Sequence, residues 1–187
     1  YKGDIYTVPS TGGNARQLTT NPAHDTHPIW SPDGQQIAFA SSRQGSMDIY
    51  IVSKDGGIPK RLTTHSGNET PVTFSDATHI LFKANLMPDA TDLSFPSAQF
   101  PQVYEISTQG GRPQLYSSLP MEDISVAQDG TTLLYHDQKG YEDPWRKHHT
   151  SSITRDIWIS KKENNERTYQ KVTSFNGEDR NPIWSND

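Results

Sequence analysis

Cysteine is absent from all 187 positions. That excludes disulfides, thiolate metal sites and a cysteine nucleophile, and it suits a reducing or an oxidising compartment equally. No apolar stretch approaches the ~20 residues needed to span a bilayer as a helix. Positive charge is in short supply, since 17 Lys and Arg face 22 Asp and Glu and leave a net charge of −5. Electrostatics therefore offers no case for nucleic acid or an anionic membrane as a partner. Apolar residues make up only 31%, and the 13 glycines raise this to about 38%, below the roughly 45–50% of an average domain counted that way. Aromatics nevertheless reach 10%, which argues against disorder. A thin core spread over several stacked layers reconciles the two.

The stretch from Asp25 to Gly57 shows what those layers are. His27 to Trp30 is a short run that leads into Ser31-Pro32-Asp33-Gly34, the residues of a type I turn. Ile37 to Ala40 follows as a second strand, then Asp48 to Val52 as a third. The third run has no polar alternation, as expected when both faces of a sheet are covered. Asp55-Gly56-Gly57 offers positive-φ residues for a primed hairpin turn into Pro59 to Thr63. The sum is a four-stranded antiparallel meander.

The meander recurs along the chain. With Asp-Ile-Tyr as marker, copies begin at Asp4, Asp48, Gln102 and Asp156, at offsets of 44, 54 and 54 residues. Double glycines follow the first three at Gly12-Gly13, Gly56-Gly57 and Gly110-Gly111. Leu18-Thr19-Thr20, Leu62-Thr63-Thr64 and Val172-Thr173-Ser174 repeat a second signature. Trp30, Phe74 and Trp184 repeat a third, with Ile124 to Gly130 as a degenerate copy of the opening run. Four strands per unit at a period near the forties is the signature of a β-propeller blade.

The fold class expected is thus all-β, a β-propeller of four-stranded antiparallel blades. Residues 1–24 supply a partial blade, 25–66, 69–120 and 121–175 complete ones, and 179–187 the first strand of the next. About four blades of a larger, six- or seven-bladed ring is the expectation, because closing four blades would leave a composite blade without its second strand and with unpaired backbone. The arc would then lean on further blades or on a second copy of itself. Residue 1 falls inside a repeat, so the natural N-terminus is expected upstream. Two connections between second and third strands are long, Lys83 to Pro101 and His136 to Arg155. Extra length at one face of a propeller suggests a binding role or a packing patch.

Pro28-Ile29-Trp30-Ser31-Pro32-Asp33-Gly34, then Ile37 to Ser41, Asp48 to Val52, Gly56-Gly57 and Arg61-Leu62-Thr63 resemble the TolB-type WD-like propeller repeat. Lys139 to Ser152, Thr154 to Trp158 and Thr173 to Pro182 resemble, more specifically, the N-terminal propeller of tricorn-like serine peptidases. That resemblance implies a non-catalytic domain that guides or binds peptides or unfolded polypeptide, ahead of a peptidase domain beyond Asp187. It also implies an exported, periplasmic setting. The alternative is a TolB-like interaction propeller with no enzyme attached, and a third reading is a propeller enzyme acting on oligosaccharides.

Within these residues no G-x-S-x-G elbow occurs, and no catalytic residue, metal or cofactor is expected. His148 and His149 are adjacent, so on a strand they would point to opposite faces and could not chelate one ion together. Trp145, Arg146, Lys147, His148 and His149 form the densest aromatic and cationic cluster and are the candidate substrate-binding residues. An Arg fork beside a Trp suits a peptide carboxylate and its apolar neighbour. The competing reading has Trp145 plugging the loop onto its own blade while Arg146 pairs with Glu142 or Asp143. Trp30, Phe74 and Trp184 are expected as core plugs, and Asp25, Asn68 and Asp179 as acceptors for backbone N–H groups at the start of each inner strand.

Overall fold

The computed structural model describes residues 3–86, 101–139, 154–164 and 166–185. Their regular structure is all strand. A two-stranded sheet pairs β1 (Tyr6–Thr7) with β2 (Arg16–Gln17), and three four-stranded sheets follow. The second sheet holds β3 (Asp25–Trp30), β4 (Gln36–Gln44), β5 (Ser46–Ser53) and β6 (Lys60–Arg61). The third holds β7 (Glu69–Phe74), β8 (His79–Ala84), β9 (Gln102–Ser107) and β10 (Gln114–Ser117). The fourth holds β11 (Met121–Val126), β12 (Thr132–Asp137), β13 (Ile157–Glu163) and β14 (Glu166–Lys171). Strand order follows chain order in every sheet, the meander of a propeller blade. The chain forms two compact units, one around the first three sheets and one around the fourth.

In the first unit the core lies between sheets, and β5 shows why its sequence lacks alternation. Tyr50 and Val52 join Ile5, Leu18, Ile37 and Phe39 between the first and second sheets. Ile49 and Ile51, one residue out of phase, join Ala38, Leu62, Phe74, Ile80, Phe82, Ala84, Tyr104 and Ile106 between the second and third. Successive side chains on a strand point to opposite faces, so a continuous apolar run fills both layers. Phe39 stacks on Tyr50 in one layer, and Phe82 on Tyr104 in the other.

The turns follow the sequence in part. Gly34 N donates to Ser31 O at 2.9 Å, closing the expected turn, and Gly130 N to Ala127 O at 3.0 Å closes the degenerate copy. In the latter, Asp129 is pulled down to about 2, chiefly by the Thr132 hydroxyl and then by backbone N–H groups. The double-glycine turn is not a two-residue primed hairpin. Gly56 N donates to Ser53 O at 2.9 Å, so Lys54 and Asp55 are the central pair, and Gly56 (φ 82°) and Gly57 (φ 114°) follow the turn. Both then lie where an L side chain is strained, and Pro9–Gly12 and Ser107–Gly110 repeat the bond. The hairpin joining β4 to β5 also runs further than expected, pairing Gln44 with Ser46 around Gly45.

Two expectations about the opening run are corrected. Phe74 is buried at 4%, but Trp30 is 53% exposed and is not a core plug. Phe74 has the second sheet as its neighbour, with Ile29 of β3 packed against the same cluster, whereas the sheet beside Trp30 contributes only β1 and β2. Residues 179–185 form no strand. A strand is defined by a laddered partner, and Trp184 instead meets β11 at Ser125 alone in the bonds described, its N–H donating to Oγ at 3.3 Å and its Nε1 to O at 3.1 Å.

Candidate functional site

The candidate binding residues Trp145, Arg146, Lys147, His148 and His149 lie outside the described residues, as do Glu142 and Asp143. The base from which their connection springs is described. Asp137 N donates to Asp156 O at 3.1 Å, and Asp156 N returns to Asp137 Oδ1 at 2.8 Å. Lys139 Nζ donates to Thr154 O at 2.8 Å and to Asp156 Oδ2, which also receives Lys171 at 2.9 Å. Asp137 Oδ2 accepts Trp158 Nε1 at 3.1 Å. The last described residue before the insertion and the first after it are thereby tied together. Burial opposes the charge on Lys139, but its bonds to Asp156 and Asp137 outweigh that and raise it. Asp156 is lowered for the matching reason, burial being overcome by Lys139 and Lys171.

Beside this neck, His136 is buried, with Nδ1 3.6 Å from Asp123 Oδ2 and in line to accept Asn181 N–H at 3.4 Å. Burial lowers its affinity for a proton, and the Asp123 charge opposes that without reversing it. Asp123 and Asn181 both have positive φ, 46° and 55°, as does His27 at 52°. These are uncommon conformations for residues other than glycine, and they stand at one repeat position. At β3 and β11 they coincide with register shifts in the inner strand. Nothing in the sequence signalled them, because the bulge is a property of two paired strands. Among the described residues no three His, Asp or Glu side chains converge as a metal site.

The first unit carries the other buried charges. Arg43 pairs with Asp25 at 2.6 Å and lies over Phe39 and Tyr50, 5.3 and 5.1 Å from their ring centres. Arg61 pairs with Asp48 at 2.8 Å. Asn68 Oδ1 accepts Met47 N–H at 3.1 Å, a backbone N–H as expected but one on β5 of the second sheet rather than at the start of β7. Asp25 does not serve that way, since its carboxylate faces a guanidinium. In the fourth sheet's neighbourhood Glu178, rather than Asp179, accepts Arg155 N–H, at 3.4 Å. The repeated threonine has the clearest role: Thr19, Thr63 and Thr173 each accept the N–H of the marker isoleucine, Ile5, Ile49 and Ile157, at 3.0, 2.9 and 3.0 Å. Each bond fastens the end of the last strand of a sheet to the beginning of the strand before it.

Residues 1–187 match the family model described as the tricorn protease N-terminal β-propeller domain. Among solved structures, a putative TolB from Agrobacterium tumefaciens superposes with a TM-score of 0.61 at 21% identity, over 89% of this chain and 55% of that one. TolB from Acinetobacter baumannii gives 0.61 at 18%, over 94% and 39%. The tricorn protease gives 0.68 at 17%, over 94% of this chain and 17% of that one. At such identities the likeness is one of fold. The chain spans about half the length of the first of these structures and less of the others.

Proposed function

The chain belongs to the family of tricorn protease N-terminal β-propeller domains, and on that premise we propose that it guides or binds peptide substrate, without catalysing, in an exported serine peptidase. The observation that carries this reading is the locked neck at Lys139, Thr154 and Asp156. A recognition loop gains affinity when its ends are held before the ligand arrives, and the sequence between those ends holds Trp145, Arg146, Lys147, His148 and His149. In this proposal Arg146 and Lys147 take the carboxylate of a peptide C-terminus and Trp145 covers the adjacent apolar side chain.

Binding of short peptides to wild type and to Arg146→Ala/Lys147→Ala tests the assignment. Weaker binding of peptides with free C-termini, with amidated ones unaffected, is expected. Equal loss for both, or loss for neither, would sink the carboxylate role. A TolB-like interaction propeller is the second reading, favoured by the shared fold of two TolB structures. A serine nucleophile encoded downstream in the same reading frame supports the first reading, and a frame ending soon after the last blade supports the second. Cell fractionation tests the proposed export.

A further inference from the structure

Glu69 opens β7 with its side chain 0% exposed, where the third sheet meets the second. One carboxyl oxygen takes the Thr63 hydroxyl, and the other has no hydrogen-bond partner. Asp48, on β5, is also 0% exposed, and neither of its oxygens is aligned for a hydrogen bond. The charged groups that face Glu69 are Asp48 and Arg61. Two buried carboxyl groups therefore share one guanidinium, whose side chain is itself 30% exposed. At the preceding junction Asp25 has Arg43 at 2.6 Å.

We propose that Glu69 is a proton-operated latch on the junction between the second and third sheets. Uncharged, it holds β7 against Thr63; ionised, it places a second buried negative charge beside Asp48 and loosens the junction. Like charges in a dry site disfavour ionisation of one of them. Burial first, then Asp48, against the opposing Thr63 bond, push Glu69 from 4.5 up to about 7. The folded chain then holds a proton that the unfolded chain releases, so stability is lost as pH rises from about 4.5 through about 7. The segment set free is the connection from Thr64 to Asn68, tied to the β4–β5 hairpin by Ser46 Oγ on His65 O and by Asn68 on Met47.

Hydrogen–deuterium exchange of the whole protein at pH 6 and pH 8.5, corrected for intrinsic rates, tests this against Glu69→Gln. Peptides that cover Ile49 and Thr64 to Phe74 are expected to lose protection in wild type by about tenfold, the one unit between pH 6 and the raised titration near 7 above which the effect levels off, with little change in the variant. The same pH dependence in both proteins would overturn the proposal. If Glu69→Gln does not fold, a carbon NMR titration of the wild-type Glu69 carboxyl decides. A midpoint near 7 supports the latch and one near the ordinary 4.5 defeats it.

Discussion

Lys60 Nζ, on the outer strand of the second sheet, donates to Gln109 O in the glycine hairpin of the third sheet at 2.8 Å. Arg16 does the same one sheet earlier, donating to Lys54 O. Each cation stands twelve residues after the marker aspartate, Asp4 or Asp48. A repeat that looked like strand pattern alone thus encodes a sheet-to-sheet clamp.

Replacing Lys60 with Met keeps the aliphatic stem and removes the donor. A loss of about 1 kcal/mol is expected, the usual net value of one hydrogen bond at a partly wet site. Urea unfolding with an unchanged m-value checks it.

Thr63→Val is expected to cost more. It strands the Ile49 N–H and the Glu69 carboxyl in a buried site, and a buried group left without its partner costs about 1–3 kcal/mol. Thr63→Ser keeps the hydroxyl and should recover most of the loss. Equal unfolding midpoints for the Val and Ser variants would contradict the assignment.

Burial separates two aromatic positions that look alike in the repeat. Phe74→Ala, at 4% exposure, should destabilise by about 3–5 kcal/mol through the cavity it leaves. Trp30→Ala, at 53%, should cost well under half of that in the same protein. Thermal unfolding of the two variants side by side is the check.

His136 sets a pH limit on the acid side. Its folded affinity for a proton lies below the ordinary 6.5, so the unfolded chain binds the proton more readily, and stability falls as pH drops below about 6.5. His136→Gln should remove that slope while leaving intact the opposing one from Glu69, whose contribution is lost as pH rises from about 4.5 through about 7. Unfolding midpoints collected between pH 5 and 7 give the comparison.

Much of the fold was legible because a propeller blade is local. Adjacent strands pair through short turns, so Ser31 to Gly34 and the marker runs announce their own structure. Trp30 departs from its repeat because its burial depends on which strands the neighbouring sheet contributes, which its own repeat does not state. The candidate loop could be named from composition, but its neck could not. Asp156 reads as a repeat marker and Lys139 and Thr154 as parts of the family pattern, and nothing in the sequence says that the three meet at the ends of β12 and β13.

By itself, the sequence determined the strand periodicity, the register of the copies and the family, since each rests on residues close along the chain. The tertiary structure alone decided which charges are buried together. Asp48, Arg61, Thr63 and Glu69 come from three strands and a connection, and the desolvation that changes their chemistry exists only once two sheets have closed over them.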